Sequence, residues 1–290
     1  MLTRIISGAV GVVLIAAVLF FHDTLVLPIA VAAIIAVMLF ELLRAVKLEK
    51  CLPIICVVEQ CGVAIPFIYS SFYYTEEIQK DGVVINNVRI DGAASVIAFA
   101  LVLTAAFVIF LTWLGKHKEI RYEQVFFALA VMILVPQAMT TMVRIERYSS
   151  EDGLFLLIMG LCGAWIADTG AYFTGVAFGK HKLCPEISPK KTIEGFVGGI
   201  VTTGIVYAAA FTVYFGKVNI GAIAVTFIMG AVCAVIGTVG DLSASMVKRQ
   251  IGFKDYGKIM PGHGGLMDRF DSVLFVLPTF YAFISLTGIF

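Results

Sequence analysis

The chain has 290 residues, 60% of them hydrophobic and 14% charged, with a mean hydropathy of +0.98, whereas soluble chains carry roughly 25% charged residues. This excludes a soluble globular protein and defines an integral membrane protein. A net charge of +1 by itself says nothing about nucleic acid, because binding a polyanion through its phosphates requires a concentrated basic surface, so the distribution of charge is more useful than its sum.

Met1-Leu2-Thr3-Arg4 precedes an apolar run over residues 5–21 that has the look of a signal peptide. The run ends Leu19-Phe20-Phe21-His22-Asp23, without a small-residue cleavage site, so it reads as a retained first span. A bilayer core of about 30 Å needs about 20 apolar helical residues. Segments 5–21, 25–43, 52–69, 93–114, 125–143, 154–178, 193–215, 221–247 and 270–290 meet that need, which predicts about nine spans. With the N-terminus inside, 16 of the 21 basic residues fall on the inner side, leaving Lys80, Arg89, Arg144, Arg147 and Lys217 outside. The positive-inside rule therefore favours N-in, C-out. The polar stretch 70–91 reads as an outer loop rather than a domain, and the six cysteines read as buried thiols because none has zinc-ligand spacing with a histidine.

A carboxylate inside a bilayer costs several kcal/mol, so each one needs a reason. Asp168 lies about 21 Å along a helix entering from outside, in the inner part of the membrane. Asp241 comes about 30 Å into its span, at the cytoplasmic mouth. Asp268 and Asp271, three apart, are expected on one face as the last helix begins, at the same depth. Glu59 approaches that zone as well, although a purely structural ion pair accounts for it equally.

Between residues 168 and 195 the sequence crowds Lys180, Lys182, Lys190 and Lys191 into one inner loop framed by Asp168 and Glu194, the composition of an anion site. Asp168 and Tyr172 share a helix face, and Ser188-Pro189 is expected to cap and begin the next helix. Further on, Asp241, Ser245 and Lys248 are spaced i, i+4, i+7 on one face, and Arg249, Lys254, Asp255 and Lys258 follow. The chain then reads Gly262-His263-Gly264-Gly265-Leu266-Met267-Asp268-Arg269-Phe270-Asp271. Glycines here allow positive φ or close approach of backbone N–H groups to an anion. Carboxylates beside a surplus of cations suit magnesium and a triphosphate. Neither a P-loop nor a dinucleotide fingerprint occurs.

Ser245-x-x-Lys248-Arg249, Lys254-Asp255 and Pro261-x-His263-Gly264-Gly265-x-x-Asp268-Arg269-x-Asp271 together resemble the signature of the phosphatidate cytidylyltransferase, or CDP-diacylglycerol synthase, family. Ser188-Pro189-Lys190-Lys191-Thr192, preceded by Asp168-x-x-Ala171-Tyr172, is similar to that family too. Met260 stands where the pattern expects Leu, Ile or Phe. The specific motifs cover residues 168–271, and the N-terminal half carries the resemblance through hydropathy alone.

The resemblance implies an all-α polytopic bundle forming one membrane domain over 1–290, with N-terminal spans in 1–150 and catalytic spans and loops in 151–290. It also implies transfer of CMP from CTP to phosphatidate with Mg2+, a second metal ion being left open. By that resemblance Asp241 and Asp268 hold metal, and Asp271 supports them or is a further ligand. Lys248, Arg249, Lys258 and Arg269 hold the triphosphate and pyrophosphate. Lys190 and Lys191 take the phosphatidate head group or the nucleotide, and His263 donates to a phosphate. Asp168, Ser245, Gly264 and Gly265 complete the substrate-binding set. The expected partners are CTP, phosphatidate and the bilayer, with no nucleic acid and a homodimer left open. The expected location is the plasma membrane, with the site facing the cytoplasm. A CTP-dependent enzyme acting on an isoprenoid or ether lipid phosphate is the near alternative. A secondary transporter is the distant one, disfavoured because the charges sit at one face rather than at the midplane.

Overall fold

Backbone polar groups in hydrocarbon must be satisfied internally, and a chain this apolar does so by forming helices. The computed structural model describes residues 2–80, 83–90, 92–216, 219–260, 262 and 264–287, with side chains described outside 2–6 and 73–90. In chain order the elements are α1 (Leu2–Phe20), α2 (Val26–Ala45), α3 (Leu52–Ser71), β1 (Tyr73–Lys80), β2 (Val83–Ile90), α4 (Gly92–Gly115), α5 (Tyr122–Glu146) and α6 (Gly153–Phe178). There follow β3 (Lys182–Cys184), β4 (Ser188–Thr192), α7 (Ile193–Phe215), α8 (Ile220–Ile251), α9 (Met267–Phe270) and α10 (Val273–Thr287).

Among the described residues, eight helical segments are long and apolar enough to cross a membrane: α2 to α8, and the stretch Met267–Thr287 containing α9 and α10. The protein is thus an all-α polytopic membrane protein. The first expected span is present as helix α1, whose Ser7–Phe20 portion is a shorter apolar helix. Within the stretch read as an outer loop, β1 and β2 pair antiparallel in register from Tyr73 with Ile90 to Lys80 with Val83.

The chain forms two compact units, Met1–Leu154 with Asp255–Asp268, and Phe155–Lys254 with Arg269–Phe290. In the first, α2 buries Leu27, Val31, Ile35, Met38 and Leu42 at helical spacing. Gly62 of α3 lets that helix close on Leu39 and Ile35, where a Cβ would clash. Arg144 lies 3.9 Å over the Tyr69 ring, and Glu146 takes His22 and Arg147, each at 3.0 Å.

In the second unit, small residues bring helix backbones together, the usual route to helix association where lipid removes the hydrophobic drive. A Cβ on Gly230 of α8 would lie 2.7 Å from the Thr203 carbonyl oxygen of α7, and one on Gly199 of α7 would lie 2.7 Å from the Ala167 carbonyl of α6. Gly240 of α8 likewise faces the Asp271 carbonyl and Phe275. Fully buried Tyr207 donates its hydroxyl to the Met159 carbonyl at 2.7 Å.

Two local expectations are corrected. Ser188-Pro189 belongs to strand β4, since Ser188 pairs with Cys184 and Thr192 with Lys182, and a proline is tolerated in an edge strand. The cap of α7 is Thr192, whose Oγ1 accepts from the Gly195 N–H at 3.2 Å. Asp268 and Asp271 do not share one helix face: α9 ends at Phe270, and Asp271 Oδ1 accepts from the Ser272 N–H at 2.7 Å. That local bond competes with helix continuation, and α10 starts afresh at Val273. The cysteines are all free thiols, but only Cys51, Cys61 and Cys233 are buried, with Cys56 exposed.

Replacing Gly230 by Ala should overpack the α7–α8 contact at a cost of about 1–3 kcal/mol. Thermal unfolding in detergent should show a lowered midpoint for Gly230→Ala and none for Gly115→Ala, where an added Cβ meets nothing within 4 Å.

Candidate active site

In the second unit, two helix-borne acids, a third in a turn and a lysine-bearing hairpin converge. Asp168 projects from α6, and Asp241 from α8, while Asp271 lies in the turn before α10. The short hairpin β3–β4 carries Lys190, which is exposed, and Lys191, which is half-buried. Its base is fixed by Glu194 in the first turn of α7. That carboxylate accepts the Lys180 N–H at 3.1 Å and the His181 N–H at 3.2 Å, and lies 2.6 Å from His181 Nδ1.

So held, Lys191 places Nζ 2.6 Å from Asp241 Oδ2, both side chains about three-quarters shielded from solvent. Asp168 lies within electrostatic reach of Lys191, Asp241 and Arg269. The buried Asp271 carboxyl lies beside that of Asp241 and within reach of Lys248. A cavity of about 370 Å³ opens among Asp168, Tyr172, Val176, Lys190, Lys191 and Phe196. Two lysines and one aspartate are set among mostly apolar walls, a lining suited to a phosphate joined to a greasy tail.

Lys248 and Arg249 occupy the last turn of α8. The helix closes there with Phe253 N–H on the Lys248 carbonyl at 2.9 Å and Gly252 N–H on the Arg249 carbonyl at 3.3 Å. Gly252 is left-handed at φ 84°, the Schellman arrangement. Ser245 and Lys248 are half-buried, Arg249 and Arg269 exposed.

The segment Asp255–Asp268 belongs to the first unit. Met260 and Gly264 pair across a tight turn, N–H to carbonyl in both directions at 3.0 and 3.2 Å. The turn uses φ 81° at Gly262 and 89° at Gly264, which glycine alone adopts cheaply. Asp268 Oδ2 accepts the Tyr256 N–H at 2.8 Å and the Gly265 N–H at 3.0 Å. Glu41 of α2, 1% exposed, accepts the Leu266 N–H at 3.1 Å and the Met267 N–H at 2.8 Å. Lys258 is exposed; His263 lies outside the described residues. Glu59 stands apart from these bonds, its buried Oε1 having no hydrogen-bond partner among the described residues.

The sequence reading named Asp168, Lys190, Lys191, Asp241, Ser245, Lys248, Arg249, Arg269 and Asp271 of one unit, Lys258, Gly264, Gly265 and Asp268 of the other, and His263 outside the described residues. It missed Glu41 and His181. Glu41 carried the same signal as Asp168, an acid within an apolar run.

A model of the cytidylyltransferase family matches residues 2–287, and the chain belongs to that family. Over 128 residues it is 45% identical to a phosphatidate cytidylyltransferase of Staphylococcus haemolyticus, covering 44% of this chain and 48% of that protein. It is 46% identical over 130 residues to the protein of that name from Staphylococcus aureus, covering 44% and 48%. With the one from Haemophilus influenzae it shares 44% identity over 144 residues, covering 48% and 50%. The chain thus spans about half the length of the curated relatives it matches.

Magnesium is the cation this chemistry would call for. Among the described residues, no group of three or more His, Cys, Asp or Glu side chains forms a metal cage. Magnesium is commonly held by one or two carboxylates together with substrate phosphates. The adjacent carboxyls of Asp241 and Asp271 are hard oxygen donors of the kind magnesium takes, so the residues fit.

Lys191→Met and Asp241→Asn, singly and together, form a double-mutant cycle on the 2.6 Å ion pair. Unfolding of the detergent-solubilised protein should report a coupling of about 0.5–3 kcal/mol.

Proposed function

We propose that this chain transfers CMP from CTP to phosphatidate, forming CDP-diacylglycerol and releasing pyrophosphate. The observation that carries the reading is the Lys191–Asp241 pair beside a cavity that joins lysines to apolar walls, in a chain of the cytidylyltransferase family. The names of the relatives supply the substrates.

A phosphate monoester whose second pKa is about 6 is largely dianionic at neutral pH. Its oxygen can attack the α-phosphorus of CTP without a general base. The new P–O bond forms as the bond from the α-phosphorus to the oxygen bridging to the β-phosphate breaks, and pyrophosphate leaves with that electron pair. The protein's work is positioning and neutralising charge. Lys190 and Lys191 take the lipid phosphate, with Tyr172, Val176 and Phe196 beside its glycerol and chains. Lys248, Arg249 and Arg269 take the triphosphate and retain the pyrophosphate, and Asp241, supported by Asp271, is assigned to magnesium; Lys258 and Asp268 are assigned to the same two roles from the sequence motif alone. When bound, magnesium supplies positive charge to the phosphate oxygens. We place the site on the cytoplasmic side of the cell membrane, where the basic residues concentrate.

Purified protein given radiolabelled CTP and a panel of lipid phosphates should label phosphatidate, release pyrophosphate and stop in excess EDTA. Asp241→Asn and Asp268→Asn should each lower turnover per folded molecule at least about a hundredfold. Labelling of an isoprenoid phosphate in preference to phosphatidate would overturn the substrate assignment, and near-normal folded variants the metal assignment.

In intact cells, an impermeant maleimide should leave Cys184 unlabelled and modify a cysteine placed at Asn87. The reverse pattern would invert the topology.

A further inference from the structure

We infer that Glu41 is a positioning residue: its carboxylate, hydrogen-bonded to the backbone N–H groups of Leu266 and Met267, fixes the segment that presents Asp268. The inference rests on the reading above that Asp268 serves the reaction. Glu41 comes from α2, 225 residues earlier in the chain than Leu266. It is almost wholly buried, where a carboxylate persists only if its charge is compensated. Here two backbone donors at 3.1 and 2.8 Å supply the direct compensation, with Arg44 within electrostatic reach and the Asp268 charge opposing it.

The surroundings are shaped to admit the carboxylate. A Cβ on Gly257 would overlap it, and one on Gly265 would lie 2.6 Å from both of its oxygens. Gly257 and Gly265 are thus restricted by what they face, Gly262 and Gly264 by their positive φ. Asp268 then closes the same segment from within, through Tyr256 N–H at 2.8 Å and Gly265 N–H at 3.0 Å. Glu41 and Asp268 therefore receive the consecutive N–H groups of Gly265, Leu266 and Met267, together with that of Tyr256. Loss of Glu41 strands Leu266 and Met267 N–H groups directly before Asp268, so the error passes to the orientation of that carboxylate.

Hydrogen exchange of the full chain in detergent tests this without reference to turnover. Glu41→Ala should speed exchange across residues 256–268 at least about tenfold, with peptides of α5 and α7 unchanged. Glu41→Gln, which keeps the volume and one acceptor but turns an amide NH2 toward the second N–H, should give an intermediate effect. It also keeps the test open if the alanine variant fails to fold. In the CMP-transfer assay, both variants should raise the magnesium concentration for half-activity several-fold with kcat reduced, whereas Glu123→Gln, an exposed acid paired with Arg121, should do neither. Unchanged exchange over 256–268 in Glu41→Gln, or a lower yield with wild-type magnesium dependence per folded molecule, would overturn the inference. Inactivity of the unmodified chain would count against the assigned reaction alone, because exchange still decides the role of Glu41.

Discussion

A carboxylate withdrawn from water must find cations or N–H donors, and this protein meets that demand in two ways. Asp241 is met by a lysine at 2.6 Å, with Asp168 and Asp271 grouped around the same charges. Glu41 and Asp268 are met by backbone. The first solution gathers side chains from α6, α8 and a hairpin into a polar cluster. The second folds a glycine-rich segment around two buried acids. Glu59, with a buried oxygen that has no hydrogen-bond partner among the described residues, belongs to neither.

The cation solution needs a rigid frame, since an ion pair held at one geometry must overcome the entropy of a long lysine side chain. Close approach of α6, α7 and α8 through Gly199, Gly230 and their neighbours supplies it. Thr192 joins that frame to the hairpin: it caps α7, and its Oγ1 would lie 2.9 Å from a Cβ on Gly175 and 2.8 Å from one on Gly179. Lys191 is its immediate neighbour, so its reach toward Asp241 is inherited from helix packing.

Hydropathy was enough to find the spans, because each is a long apolar run bounded by charge. It was not enough for the hairpins. Residues 182–192 mix lysines, two prolines and isolated apolar side chains without strand alternation, and Ser188-Pro189 imitates a helix start. Asp168, Asp241 and Lys191 were legible as charges at one depth, whereas their pairing was not, since a lysine in a basic loop has many acids within reach. Glu41 went unread for a different reason. Its partners are backbone N–H groups, which no residue type announces, and they lie at the far end of the sequence.

The 32 residues of α8 extend about 48 Å, well beyond a hydrocarbon core of about 30 Å. Burying that whole length would demand a tilt of about 50°, outside the usual range of roughly 0–40°. A helix that enters at Ile220 with modest inclination reaches the opposite interface near Asp241 and carries Lys248 and Arg249 a further turn or two into the headgroup layer. The wetness of Asp241 is then a mismatch property: a thicker bilayer draws its carboxylate toward hydrocarbon, a thinner one lifts it into water, and the lipid itself becomes a determinant of how strongly that charge is felt.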